Sequence, residues 1–169
     1  DYTRLNPKQK IPFLQDGAFG LSESAAIVNY LFKNYGDGRD VYSPQNACEQ
    51  AQLDEWCYFV MTELDAHSLY FIRRHEALAK IYGAAPEAVA SAREYCRKQL
   101  TAVEDRIAAL ETGLMGSDIS PADILLTSCL DWAVAYGLEI GPKLSPYRNR
   151  MNRRRAYITA WDICRVPDS

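Results

Sequence analysis

The chain of 169 residues lacks the marks of several large protein classes. No apolar run approaches the ~20 residues that a membrane-crossing helix needs, and no signal-peptide pattern is read at its start. Histidine is scarce, with only His67 and His75. Glu63 and His67 stand four apart, as metal ligands on a helix would, but that turn carries no second histidine or cysteine, so no metal site is expected. A net charge of -3 gives no general reason to expect nucleic acid or an anionic membrane as partner. The five cysteines (Cys48, Cys57, Cys96, Cys129, Cys164) are scattered without a C-x-x-C. Four of them lie in helical patterns among apolar neighbours, so buried free thiols and a reducing cytosol are expected. There is no internal repeat and no low-complexity tract.

What is present is ordinary globular composition, 48% hydrophobic and 24% charged, with enough chain for one sizeable core or a small domain plus a larger one. The most informative stretch runs from Asn6 to Leu31, NPKQKIPFLQDGAFGLSESAAIVNYL. A short apolar run (Ile11, Pro12, Phe13, Leu14) and a second one through Phe19 and Leu21 flank Asp16-Gly17, a strong hairpin signal. Pro12 belongs at a strand edge or strand start, where no ladder hydrogen bond is lost. Ser22 and Ser24 are N-cap types ahead of Ala25, Ala26, Ile27, Tyr30 and Leu31, which space as one helix face. Two strands thus lead into a helix N-terminus, whose free N–H groups and dipole favour an anion. A hairpin before a capped helix is common by itself, and Glu23 alone reads as a first-turn acid that suits the dipole.

Taken in order, NP-x-x-K-[IV]-P-x-L, a DG turn and L-x-E-S-x-A-I-x-x-Y-L resemble the second half of the thioredoxin-like domain of cytosolic glutathione transferases. The resemblance implies that Pro12 is cis and that the Ile11 backbone bonds the cysteinyl part of glutathione. It implies that Glu23 and Ser24 hold the γ-glutamyl end, Glu23 pairing with the α-ammonium while Ser24 and the helix amides take the α-carboxylate. Gln9 and Lys10 fall where the family has further peptide contacts. The chain starts at Asp1 without methionine, and the resemblance begins almost at once. The first strand–helix–strand unit of such a fold, roughly 30 or more residues, is not in the sequence, so it is expected to be part of a longer chain. The Ser, Tyr or Cys that acts on the glutathione thiol would lie in that upstream part, and no catalytic residue is assigned here.

Gly36 to Asn46 is polar and rich in Gly and Pro, and reads as an interdomain linker. From Ala47 to about Arg74, Leu53, Trp56, Cys57, Val60, Met61, Leu64, Ser68, Phe71 and Ile72 repeat at three and four, which predicts one long helix with a broad buried face. Tyr58 and Asp65 lie seven apart, on one flank beside Met61. In the family this flank meets the second substrate, so Tyr58, Met61 and Asp65 are the candidate second-substrate pocket. A resembling bacterial subgroup has an amide and a histidine at the two flank positions. From the residues alone, Tyr58 reads equally as a half-exposed aromatic, and Asp65 as a solvated acid. Tyr82-Gly83 ends this element, and Pro86 opens a helix whose Val89, Ala92, Cys96, Leu100, Val103, Ile107 and Leu110 form core.

Ser120-Pro121-Ala122-Asp123 reads as a capping box, with Ile119 and Ile124 as its staple. The helix after it, through Tyr136, is apolar nearly all round and is expected at the domain centre. The family has the same box on its central C-terminal helix. Five arginines within eight residues (Arg148, Arg150, Arg153, Arg154, Arg155) are divided by apolar helix-like positions and read as a solvated basic surface.

The expected fold is α+β, mostly α, with a partial thioredoxin-like domain (1–35), a linker (36–46) and an all-helical domain (47–169). The resemblance implies a cytoplasmic homodimeric glutathione transferase that joins the glutathione thiolate, its co-substrate, to apolar electrophiles without a metal. The alternatives are a glutathione-dependent peroxidase, dehalogenase or isomerase, and a non-catalytic binding or assembly module on the same fold.

Overall fold

Proline has no N–H to give to a ladder, and strand pairing begins one residue after Pro12. In a computed structural model, which describes residues 1–36, 41–110 and 112–164, strand β1 is Phe13–Asp16 and β2 is Phe19–Ser22. The expected first strand, Ile11–Leu14, is therefore displaced toward the turn. The two strands are antiparallel with Phe13 opposite Ser22 and Asp16 opposite Phe19. The turn residues are Gly17 and Ala18, one position later than the Asp-Gly pair suggests. Gly17 has φ +58°, the sign that the first central residue of a type II′ turn requires.

A short helix, α1 (Tyr2–Leu5), precedes the hairpin, and α2 (Ser24–Tyr35) follows it. Neither serine caps α2. Ser22 completes β2 and Ser24 is the first helical residue, while the cap position belongs to Glu23, whose side chain makes no capping bond. The hairpin is pinned to α2 by Asp16, which accepts hydrogen bonds from the hydroxyls of Tyr30 (2.8 Å) and Tyr35. Of the expected linker, residues 37–40 lie outside the described residues. Beyond them, Tyr42 N–H donates to the Ile119 carbonyl at 2.8 Å, tying this segment to the entry of a later helix.

The predicted long helix is continuous in path but not in winding. It runs as α3 (Ala47–Phe59), a π-helical stretch Val60–Leu69, α4 (Tyr70–Ile72) and a second π-helical stretch Arg73–Ala77. In the π-helical stretches each N–H reaches one residue further back than in an α-helix, so each residue turns the chain through a smaller angle. The Ser68 hydroxyl, buried within the first stretch, donates to the Glu63 carbonyl at 2.7 Å. The predicted inward face nonetheless holds. Leu53, Cys57, Val60, Leu64, Ser68 and Ile72 are all buried. Helix α5 (Ala79–Tyr82) ends this rod, and α6 (Pro86–Leu110) packs along it with Val89, Ala92, Cys96, Leu100, Val103 and Ile107 buried.

Helix α7 (Pro121–Ala135) packs on the rod and contacts α2 as well, which joins the hairpin-bearing part to the helical core. Its capping box is present, with Ser120 accepting from the Asp123 amide and Asp123 accepting from the Ser120 amide at 2.9 Å. Asp123 does more than cap. Its buried carboxylate also accepts from the Leu114 amide (2.9 Å), the Ser120 hydroxyl (2.5 Å) and the Tyr147 hydroxyl (2.7 Å). Burial is less complete than the sequence suggests for α7, because Ile124, Ser128, Trp132 and Val134 leave one side exposed.

Helices α8 (Leu144–Asn152) and α9 (Arg155–Cys164) close the chain. The arginine-rich segment is not wholly solvated. Arg148 is paired with Asp131 at 2.6 Å, both largely covered, and Arg150 donates to the Thr112 carbonyl. Asp131 also accepts from Asn152 (3.0 Å) and Tyr157 (2.7 Å), so one carboxylate fastens α8 and α9 to α7.

Removing Asp123 strands several buried donors at once, each worth roughly 1–3 kcal/mol when left unpaired. Asp123→Ala is expected to cost about 3 kcal/mol or more, a fall in Tm of roughly 6–12 °C by thermal denaturation. Tyr147→Phe, which removes one donor and leaves no new orphan, is expected to cost only about 1 kcal/mol.

Candidate functional site

The strand register decides which residues meet. Because Phe13 pairs with Ser22, Ile11 and Pro12 on one strand and Glu23 and Ser24 on the other leave the hairpin at the same end. The Ile11–Pro12 peptide is cis, as the resemblance implies, and the Ile11 side chain is exposed. The loop before it is braced by Asn6, which is 2% exposed. Asn6 Oδ1 accepts from the Lys8 amide at 3.1 Å and its Nδ2 donates to the Lys10 carbonyl at 2.6 Å. The Tyr2 hydroxyl donates to that same carbonyl. Gln9, between them, is held at φ +53°, a region where non-glycine residues are uncommon.

Glu23 has φ +76° and ψ 121°, a conformation that residues with side chains rarely adopt, and its carboxylate makes no capping bond. Its carboxylate instead accepts from Lys8 Nζ at 2.8 Å. Ser24 begins α2, whose first intrahelical bond near this point runs from the Ile27 amide to the Glu23 carbonyl at 2.9 Å. The amides of the first turn have no intrahelical acceptors and carry the positive end of the dipole. A carboxylate and a positive helix end thus stand on adjacent residues, at the exit of the same hairpin. That pairing suits an α-amino-acid zwitterion, with ammonium to Glu23 and carboxylate to Ser24 and the helix amides.

Gln9, Lys10, Ile11, Pro12, Glu23 and Ser24 are therefore gathered at one end of the hairpin. Lys8 joins them, though no motif in the sequence marks it. Its link to Glu23 spans fifteen residues and becomes visible only once the register and the Asn6-braced loop are known.

The three flank positions on the rod differ in their surroundings. Tyr58 is 64% exposed and lines a cleft of about 710 Å³ with Ala25, Ala26, Asn29 and Asp54, close to the start of α2. Met61 is half-buried against the core. Asp65 is half-buried rather than solvated, and its charge faces Cys129 and Tyr136 of the α7 region. From Val60 the winding is π-helical, so a spacing of seven no longer follows the α-helical repeat. A second, apolar groove of about 900 Å³ runs between α7 and α9, walled by Ile124, Trp132, Tyr157 and Trp161.

The thiols divide differently from expectation. Cys57, Cys96 and Cys129 are buried, whereas Cys48 and Cys164 are exposed at the ends of their helices. Burial pushes the Cys57 and Cys96 thiols up to about 11 and the Cys129 thiol higher still, so none of these three supplies a thiolate near neutral pH. Glu63 stands 3.6 Å from His67 Nδ1 and also accepts from the Tyr95 hydroxyl. Among the described residues no cluster of three or more metal-ligating side chains forms, and no helix is long and apolar enough to cross a membrane.

Comparison with known proteins gives the family. Residues 1–39 match the model of the glutathione S-transferase N-terminal domain, and residues 59–155 match that of the C-terminal domain. The chain belongs to the glutathione S-transferase family. It is 31% identical over 155 residues to glutathione S-transferase theta-1 of Bos taurus, covering 89% of this chain and 64% of that protein. A glutathione transferase homolog from Lodderomyces elongisporus superposes with a TM-score of 0.86 at 19% identity, over 97% of this chain and 80% of that one. A probable elongation factor 1-gamma 2 of Arabidopsis thaliana is 28% identical over 125 residues, 74% of this chain and 29% of that protein. The mostly helical fold with its small two-stranded sheet is that of a glutathione transferase's thioredoxin-like part and helical domain.

The environment of Asp65 makes a direct prediction. Burial disfavours its charged form and raises its pKa above the ordinary value of 3.8. The folded pKa then exceeds the unfolded one, so Asp65 burdens the fold at neutral pH and ceases to do so as pH falls below the unfolded value. Asp65→Asn is expected to raise Tm at pH 7, and thermal scans at falling pH should show that gain shrink toward zero.

Proposed function

We propose that this protein binds glutathione at the hairpin exit and acts as a glutathione transferase. The observation that carries the reading is the adjacency of the Glu23 carboxylate and the open N-terminus of α2, opposite the exposed backbone of Ile11 and Pro12. In this reading Glu23 holds the α-ammonium of the γ-glutamyl group, and Ser24 with the first-turn amides holds its carboxylate. The Ile11 backbone takes the cysteinyl unit, as a strand edge takes an extended peptide, with Gln9 and Lys10 toward the rest of the tripeptide. Holding the peptide at both ends fixes its thiol, so that attack on an electrophile becomes effectively unimolecular.

The second reactant is an apolar electrophile met along the Ala47–Ala77 rod. Tyr58 stands nearest the start of α2, with Met61 and Asp65 further along. The thiolate forms a bond to the electrophilic carbon as the leaving group departs. A two-domain division at residues 36–46, a cytoplasmic location and a homodimer complete the reading.

A second reading, an assembly module without catalysis, is favoured by the likeness to the elongation factor. It predicts a folded protein with no affinity for glutathione. Calorimetric titration of the protein with glutathione separates the two. Under the transferase reading glutathione binds, and Glu23→Ala and Ser24→Ala each weaken it by about ten-fold or more, the scale of a lost charged hydrogen bond. Absence of binding by the folded protein contradicts it.

A further inference from the structure

The carboxylate proposed to receive the ligand's ammonium group already has a cation on it. Lys8 Nζ stands 2.8 Å from Glu23 Oε1 and 3.1 Å from Ser22 Oγ. The position of Lys8 is set by the backbone, since the buried Asn6 side chain accepts from the Lys8 amide and donates to the Lys10 carbonyl. Gln9, at φ +53°, completes the tight loop that carries Lys8 across the end of the hairpin. A lysine ε-ammonium and an amino-acid α-ammonium are the same chemical group, with the same three donors. Both cannot hold the same face of one carboxylate.

We propose that Lys8 is a built-in competitor at the ammonium subsite, a specificity-determining residue that a ligand must displace from Glu23. The proposal rests on the glutathione reading above. Its consequence is a demand for two charges on the ligand. The Lys8–Glu23 pair is 57% and 65% exposed on its two sides, so it is cheap to break, at about five-fold in affinity or less. A simple amine that replaces Lys8 exchanges one exposed ion pair for another and gains little. An α-amino acid terminus also places its carboxylate on Ser24 and the helix amides, and that second contact tips the exchange. A peptide with a blocked amine leaves Lys8 in place and forgoes Glu23 altogether.

The test is calorimetric titration of the protein, Lys8→Met and Lys8→Arg with glutathione at low and raised salt. Lys8→Met keeps the side chain's length and removes its charge, at an exposed position where folding is undisturbed. The expected result is a Kd for glutathione lower by about two- to five-fold in Lys8→Met, and little changed in Lys8→Arg. Salt should weaken binding more steeply in Lys8→Met, because that variant forms a new ion pair on binding whereas the parent exchanges one for another. An unchanged Kd in Lys8→Met overturns the assignment, and so does a weakened one, which would place Lys8 on a ligand carboxylate. Failure of all three proteins to bind glutathione overturns the glutathione reading itself, whereas equal binding by the parent and Lys8→Met overturns only the role of Lys8.

Discussion

The fold depends most on one buried carboxylate. Asp123 sits at the third position of α7 and accepts from the Leu114 amide, the Ser120 amide and hydroxyl, and the Tyr147 hydroxyl. A buried charge survives only when its lone pairs are filled, and here they are filled from three separate parts of the chain. That fixes the loop after α6, the start of α7 and helix α8 in one arrangement. The neighbouring backbone joins in, because Ile119 accepts from the Tyr42 amide and so anchors the segment that arrives from α2. Helix α7 also packs on α2, so its fixed position decides where the hairpin and its exit stand.

At that exit the chemistry comes from backbone geometry more than from any single reactive side chain. A strand register places the Ile11–Pro12 peptide beside Glu23 and Ser24, and the start of α2 supplies open amides next to a carboxylate. Glu23, the residue that follows β2, has φ +76°, and its side chain makes no capping bond. Such a conformation costs of order 1–3 kcal/mol and persists where the surroundings over-determine it. The Ile27 amide holds the Glu23 carbonyl and Lys8 holds its carboxylate, while Asn6 braces the loop before the cis peptide and Asp16 ties the turn to Tyr30 and Tyr35.

Much of this was legible in the sequence, and the failures have physical causes. Leu53, Cys57, Val60, Leu64, Ser68 and Ile72 follow helical spacing and are all buried. The capping box at Ser120 and Asp123 was readable because its bonds are local, within three residues. The same locality hid the Tyr147 and Leu114 bonds to Asp123, which depend on tertiary placement. The π-helical winding after Phe59 leaves no mark in residue type, so the α-helical repeat that relates positions 58 and 65 in the sequence does not carry over unchanged. Ser24 resembles an N-cap residue, yet the cap position fell to Glu23, since the strand continues through Ser22. The apolar composition of α7 hid an exposed side at Ile124, Trp132 and Val134, because composition does not say which neighbours exist to cover a face.

The central claim is that the open start of α2 and the loop ending in the cis peptide form one ligand site. Amide nitrogen–proton NMR spectra of the protein during a titration with glutathione test this most directly. Shifts are expected at Lys8 to Ile11 and at Glu23 to Ala26, with Trp132 and Trp161 in the apolar groove largely unmoved. Shifts confined to that groove, or none at all in a folded protein, would contradict it.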